Sequence, residues 1–288
     1  MRRSAAGWLF VAPFLCAYVP LVVVPLARSL WFSLHRWDLL GAERAFVGAG
    51  NYRALALDPF FWSSLGHTLW FTALAVPALV GTGLALALGL DRPMRTHAAL
   101  RSVFFASSVL SVSVVTLLWQ VVLDPRRGLL AKATGALSAA PIDVFARPRL
   151  AMAAVVITTL WWGVGFPMVL FLAGLQQIPP SVYEAAALDH AGRFTVLTRI
   201  TLPALARTTL LVVVLEVILQ FQVFGQVFLL THGGPASSTR VVAMYLYEAA
   251  FRDGELGYAS AIANVLFVLM AAASFVQLRL GRTEERAP

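Results

Sequence analysis

Residues 178–207 read IPPSVYEAAALDHAGRFTVLTRITLPALAR, a polar interruption between two long apolar runs. Pro179 and Pro180 stop the helix before them, because proline lacks an N–H and clashes with the preceding turn. Ser181 followed three residues later by Glu184 has the spacing of a capping box, in which each side chain satisfies an amide of the other residue. Glu184 would also place negative charge in the first turn, where the helix dipole favours it. Ala185, Ala186, Ala187 and Leu188 are strong helix formers. Gly192 is the expected C-terminal stop. A second short helical run follows, with Pro203 at its boundary. The stretch therefore predicts a short surface helix, a turn and another helix, placed between two membrane spans.

The membrane follows from composition. Of 288 residues, 59% are hydrophobic and 12% charged, against about 25% charged in soluble domains. The mean hydropathy is +0.79. A net charge of +8 would suggest nucleic acid in a soluble protein. Here the basic residues lie in loops and meet anionic lipid headgroups instead. The single cysteine, Cys16, sits inside the first apolar run, which leaves no disulfide within the chain and disfavours a redox or metal site. That first run follows Arg2 and Arg3, is too long for a signal-peptide core and lacks a small-x-small cleavage site, so it is expected to be a retained span.

A membrane helix needs about 20 mostly apolar residues. Six runs qualify: 8–34, 68–90, 103–123, 150–172, 208–230 and 258–278. The expected fold is all-α, one polytopic transmembrane domain over residues 1–288 with both termini on the same side. Pro13, Pro20 and Pro25 should bend the first run. Residues 91–101 form a short basic loop, 124–149 a longer polar loop, and 238–251 an interfacial helix.

The fifth run is unusual. It holds Glu216, Gln220, Gln222 and Gln226 among apolar residues. A charge at membrane depth costs at least about 2.5 kcal/mol, so it needs a partner, a proton or water. Glu216 and Gln220 share one face at i, i+4, and Gln222 and Gln226 another. The two pairs are expected to point to different sides, one to a pathway and one to a neighbouring helix. Asn264 is expected to be the one buried amide of the sixth run, whose Ala259, Ser260 and Ala263 would let helices approach closely.

Taken together these segments resemble the permease subunits of binding-protein-dependent ABC importers, in their carbohydrate branch. The resemblance rests on Glu184-Ala185-Ala186 with Ile200, Leu202 and Pro203, similar to the EAA loop. It also rests on Phe46-Val47-Gly48 with Asn51-Tyr52, on Asp58-Pro59 with Phe61-Trp62, on Gly174-Leu175-Gln176 before the prolines, on Thr231 with Gly233-Gly234-Pro235, and on Tyr247 with Ala250-Phe251. It covers nearly the whole chain. Two positions depart from the pattern: His67 stands for the usual asparagine, and His190 falls where the EAA loop has its glycine.

The resemblance implies a type I importer permease fold, six spans and a coupling helix in the 178–207 loop. That helix would dock into a cytoplasmic ATPase through Ser181, Tyr183, Glu184, Ala185, Ala186, Asp189, His190 and Gly192. It implies a second homologous permease, two copies of the ATPase, and an extracytoplasmic substrate-binding (lipo)protein. The setting would be a bacterial plasma membrane, with both termini cytoplasmic. Basic residues outside the runs divide eleven against ten between the two sides, so charge alone does not orient the chain. No cofactor is expected on this chain; ATP and Mg²⁺ belong to the ATPases, since no G-x-x-x-x-G-K-[ST] loop is present.

Neither HExxH nor G-x-S-x-G occurs, which argues against a polytopic membrane enzyme. A secondary transporter would usually show internal repeats and more spans. Trp and Gln suit a carbohydrate, so Trp119 and Trp161 join Glu216, Gln220, Gln222, Gln226 and Asn264 as pathway candidates. A glycerol phosphate or glycerophosphodiester is the alternative substrate, but it would want basic groups at depth, and only Arg28 lies within a run.

Overall fold

Pro13, Pro20 and Pro25, expected to bend the first run, leave it one continuous span, Phe10–Ser33. The structure, a computed structural model, describes residues 2–39, 44–92, 94–136 and 142–284. The first run forms α1 (Arg2–Tyr18) and α2 (Val24–Ser33), joined by a π-helical turn over Val19–Val23 that carries Pro20. The wider turn absorbs the hydrogen bond that proline cannot donate. Phe10 and Leu21 are 88% and 75% exposed, a surface suited to lipid rather than water.

A hairpin then adds to the all-helical expectation: β1 (His35–Trp37) pairs antiparallel with β2 (Arg44–Phe46). Asn51, in α3 (Gly50–Leu57), donates to the carbonyls of Ser33 and His35 at 2.8 and 2.9 Å, which folds this loop back on the end of α2. The next helix, α4 (Pro59–Leu90), begins nine residues before the expected 68. Asp58 explains the early start, since its Oδ1 accepts the Phe60 amide at 2.8 Å and supplies an N-terminal partner.

The third, fourth and fifth runs are not straight. Residues 103–123 belong to α5 (Arg95–Val109) and α6 (Val112–Leu123), bent by 101°. The basic loop expected over 91–101 shrinks accordingly, because helix resumes at Arg95. Arg101 turns its guanidinium back onto the Leu90 and Arg92 carbonyls, groups that the end of α4 leaves open. The 124–149 loop contains α7 (Leu129–Ala136), and its part at 137–141 lies outside the described residues. There Asp124 accepts the Arg127 and Arg126 amides at 2.6 and 2.8 Å, and these bonds hold its carboxyl below the usual range.

The fourth run splits into α8 (Pro148–Gly163) and α9 (Gly165–Leu175), bent by 45°. Gly165 is required there, since a Cβ would sit 2.5 Å from the Phe104 carbonyl of α5. After α10 (Pro180–Leu188), α11 (Arg193–Val196) and α12 (Leu202–Ala204), the fifth run is α13 (Ala206–Phe221), a break, and a π-helical turn over Val227–Thr231. Of the expected 238–251 helix only α14 (Val242–Tyr247) and a π turn at Glu248–Arg252 form; α15 (Leu256–Glu284) follows. Among the described residues three helices are long and apolar enough to cross a membrane, or up to six if each bent pair is one span, the third pair being Arg193–Ala204 with Ala206–Phe221, bent by 63°.

The chain divides into two compact units, Met1–Ser63 with Val242–Leu269, and Ser64–Val241 with Met270–Pro288. In the first, Asp58 Oδ2 accepts the hydroxyls of Tyr245 and Tyr258. Burial would push this carboxyl up, but those hydroxyls and the Phe60 and Phe61 amides outweigh it and hold it low. In the second, Met168, Phe171 and Leu175 of α9 pack on Ala87 and Leu90 of α4 and on Leu205 and Val212. His67, at the position of the family's asparagine, meets the Arg240 carbonyl at 3.1 Å.

Candidate functional site: a cavity at the broken fifth span and an exposed helical turn

α13 stops at Phe221 and helix resumes at Gly225. At Gly225 a Cβ would meet Val112 Cγ2 at 2.8 Å, so the restart lies directly on the first turn of α6. The break opens a cavity of about 540 Å³ lined by Glu216, Gln220, Gln222 and Gln226, with Trp162 and Ser108 on other walls. Glu216 and Gln220 share a face as expected, and Gln220 Nε2 donates to Glu216 Oε2 at 2.9 Å. The expectation that Gln222 and Gln226 point elsewhere is corrected. It assumed one continuous helix, whereas the non-helical residues 222–224 reset the rotation and bring all four side chains onto one cavity.

Their bonding differs. Gln222 Nε2 reaches Met270 Sδ at 3.6 Å. Gln226 is 8% exposed yet has no hydrogen bond among the described residues. Its amide opens on the cavity, where a ligand or water can complete it.

The α5–α6 corner forms the opposite wall. Ser107 and Ser108 donate to the Trp162 carbonyl at 3.2 and 3.0 Å, and Trp162 Nε1 donates to the Leu110 carbonyl at 3.1 Å. These bonds hold the 101° bend and present Trp162 to the cavity. Trp161 and Trp119 are not brought there. They meet edge to face at 6.2 Å and line a separate apolar groove of about 460 Å³ with Leu86 and Ile157. Successive helical residues differ by about 100°, so only knowledge of the buried face would have chosen Trp162 over Trp161. Asn264 lies in the other compact unit, where its amide reaches Tyr52 Oη at 3.3 Å and Ser29 Oγ donates to it at 3.5 Å.

The 178–207 stretch folds as the expected helix, turn and helix, with two corrections. First, Ser181 and Glu184 form no capping box: Pro179 is the N-cap, Pro180 the first helical residue, and no side chain caps the helix. Proline fits that first position because its missing N–H has no partner there anyway. Glu184 thereby falls beyond the first turn. Second, Gly192 is not the stop. The left-handed residue is His190, with φ 50°. His190 N bonds the Ala187 carbonyl at 3.1 Å and Ala191 N the Ala186 carbonyl at 2.9 Å, the paired bonds of a Schellman closure. Gly192 instead precedes α11 as its N-cap.

Tyr183 and Ala186 face inward; Tyr183 Oη meets Thr201 Oγ1 at 3.3 Å and Ala186 is buried. Ser181, Glu184, Ala185, Asp189 and His190 are exposed. Glu184 has no hydrogen bond or ion pair among the described residues. Beside it stand two side chains that the sequence reading did not select: Leu188 and Phe194, 82% and 78% exposed. Their signal was an apolar residue on each flank of a polar turn.

Residues 80–284 match the family described as binding-protein-dependent transport system inner membrane component. The chain is 33% identical to the probable ABC transporter permease protein YurN of Bacillus subtilis, over 98% of both chains. It is 30% identical to the multiple sugar-binding transport system permease protein MsmF of Streptococcus mutans, over 97% of this chain and 96% of that one. Its fold matches, at a TM-score of 0.85 and 18% identity, a bacterial ABC transporter involved in the import of the acidic polysaccharide alginate, over 98% of this chain and 96% of that one. The chain belongs to the binding-protein-dependent transport system inner membrane components: it is a membrane-spanning permease subunit of an ABC importer, with the type I fold, and not an enzyme.

Proposed function

We propose that this permease forms, with a second homologous permease, the pathway by which a sugar or related polyol enters the cell. One observation carries the reading: the broken fifth span gathers a carboxylate and three amides, with Trp162 opposite, on one open cavity. Amides and carboxylates exchange hydrogen bonds with hydroxyls, and an indole face covers the C–H surface of a sugar ring. The volume of about 540 Å³ lies within the roughly 300–1,000 Å³ of small-molecule sites. The sugar-binding system to which the relative MsmF belongs supports the same class.

Energy comes from two copies of a separate ATPase, which bind ATP and Mg²⁺, and an extracytoplasmic binding protein delivers the solute. The 178–207 turn is the ATPase dock. Glu184 supplies an unpaired charge, and Leu188 and Phe194 supply apolar contacts. Both termini are then cytoplasmic, so reporter fusions after Arg44, Lys132 and Arg240 should all report the outside.

The test is radiolabelled-sugar uptake by the complete importer in proteoliposomes, screened across neutral sugars and polyols. Uptake that needs the ATPase and weakens with Gln226→Ala, while the complex still assembles, is the expected result. Uptake that survives removal of the ATPase subunits would overturn the importer reading. Uptake of the same sugar unchanged by Gln226→Ala would remove the cavity from the pathway.

A further inference from the structure

The cavity wall has an acid and no base. Its polar side chains are Ser108, Thr159, Glu216, Gln220, Gln222 and Gln226, besides the Trp162 indole; no Arg, Lys or His is among the described lining. Several are already engaged. Thr159 Oγ1 donates to the Val155 carbonyl at 2.8 Å, Ser108 to the Trp162 carbonyl, and the Trp162 N–H to Leu110. Glu216 is different. Its Oε2 accepts Gln220 Nε2, while Oε1 has no partner among the described residues. Gln220 thus engages one oxygen of Glu216, and the open cavity leaves the other to solute and water.

A negatively charged solute would therefore enter a site with no counter-charge, which is costly in a low-dielectric wall, and would face the Glu216 carboxylate as well. An uncharged polyol would find an acceptor in Glu216 and a free amide in Gln226. We propose that Glu216 sets the charge selectivity of this permease: its carboxylate favours uncharged or cationic sugars and polyols and rejects anionic ones, such as sugar phosphates and uronates. The inference rests on the cavity being the solute pathway, and it names the residue that defines the substrate class.

The chain's single cysteine makes a direct test practical. Cys16→Ser removes this chain's own thiol, Ser108→Cys or, separately, Gln222→Cys is then placed in it, and modification is read on this chain alone. The whole importer in proteoliposomes is treated with two ethyl methanethiosulfonates, one carrying trimethylammonium and one carrying sulfonate, with and without ATP. Rates are corrected for the reagents' reactivity with a free thiol. With Glu216 present the cationic reagent should be favoured, and Glu216→Gln should lower that preference at least about threefold, as expected for one nearby charge partly screened by water. Glu216→Asp should keep it, which separates loss of charge from damage to the fold. Equal preference with Glu216 and Glu216→Gln, at thiols that both reagents reach, overturns the selectivity proposal and leaves the pathway intact. Failure of both reagents to modify either thiol, in every nucleotide state, overturns the pathway reading and the selectivity proposal with it.

Discussion

The turn at residues 189–192 and the break at 222–224 both end a helix, by opposite means. At the turn the backbone closes on itself: His190 N and Ala191 N bond Ala187 and Ala186 carbonyls at 3.1 and 2.9 Å. What stays unmatched there points outward, as a free carboxylate and two exposed apolar side chains. At the break the backbone bonds stretch to 3.3 Å, from Gln222 and Val223 to Leu219 and Gln220. What stays unmatched there faces the cavity: the Gln226 amide and one oxygen of Glu216. A helix stop can thus serve a protein or a small solute. The side chains left without partners tell which, because a protein partner covers exposed apolar area and a solute completes buried polar groups.

The sharpest way to break that contrast is to spoil the turn's outward face alone. Leu188→Asp places a charge where an apolar contact is expected, and Glu184→Lys inverts the free charge. Either change should abolish copurification of the ATPase or uptake, while the permease still inserts and purifies. Normal copurification and normal uptake with both variants would mean that the turn docks nothing.

A smaller effect is expected at the break. A neutral hydrogen bond contributes about 0.5–1.5 kcal/mol, so Gln226→Ala should raise KM for the imported sugar about three- to tenfold. Thermal stability should hold, because no internal bond is lost. A fall in melting temperature with KM unchanged would make Gln226 a structural residue and erase the difference between break and core.

Asp58 sharpens the same distinction from the other side. It is a partly buried carboxylate with its partners present: Tyr245, Tyr258 and the Phe60 amide. Asp58→Ala should cost about 2 kcal/mol of stability and leave KM unmoved. The sign with pH follows. Its folded pKa lies below the ordinary aspartate value of 3.8, so its contribution is complete above about pH 4 and is lost as pH falls through the lowered value. Wild-type melting should be insensitive to Asp58 between pH 5 and 7, and the gap between wild type and Asp58→Ala should narrow only in acid. A gap that widens in acid would refute the assignment.

How far these regions were legible in the residues differs for a physical reason. Six apolar runs and the 178–207 interruption follow from local composition, which survives without knowledge of packing. The bends do not. The 101° corner before α6 depends on Ser107 and Ser108 reaching Trp162, more than fifty residues away. Gln226 could not be placed because the i, i+4 rule holds only while a helix continues, and the 222–224 break has no proline to announce it. Ser181 misled in the opposite way: the capping-box spacing was present, but Pro180 fits the first helical position and starts the helix two residues early.

The smallest expected effects lie in the turn itself. His190 holds φ 50°, a region that costs an L-residue about 1–2 kcal/mol and glycine nothing. Glycine returns part of that gain through its larger unfolded-state entropy, so His190→Gly should stabilise the turn by no more than about 1 kcal/mol. His190→Val should do the reverse, since a β-branched side chain fits the left-handed region worst. Hydrogen exchange at the Ala191 amide, which bonds the Ala186 carbonyl, would read both changes locally. Uptake should be kept in His190→Gly, because the docking groups are Glu184, Leu188 and Phe194 and not the imidazole. Ser181→Ala marks the zero of the scale. A true N-cap serine would lose about 1 kcal/mol, whereas this exposed serine caps nothing and should change stability by less than about 0.5 kcal/mol. A full 1 kcal/mol loss at Ser181, with slower uptake in His190→Gly, would mean that the turn is held by the side chains of its sequence motif and not by its backbone.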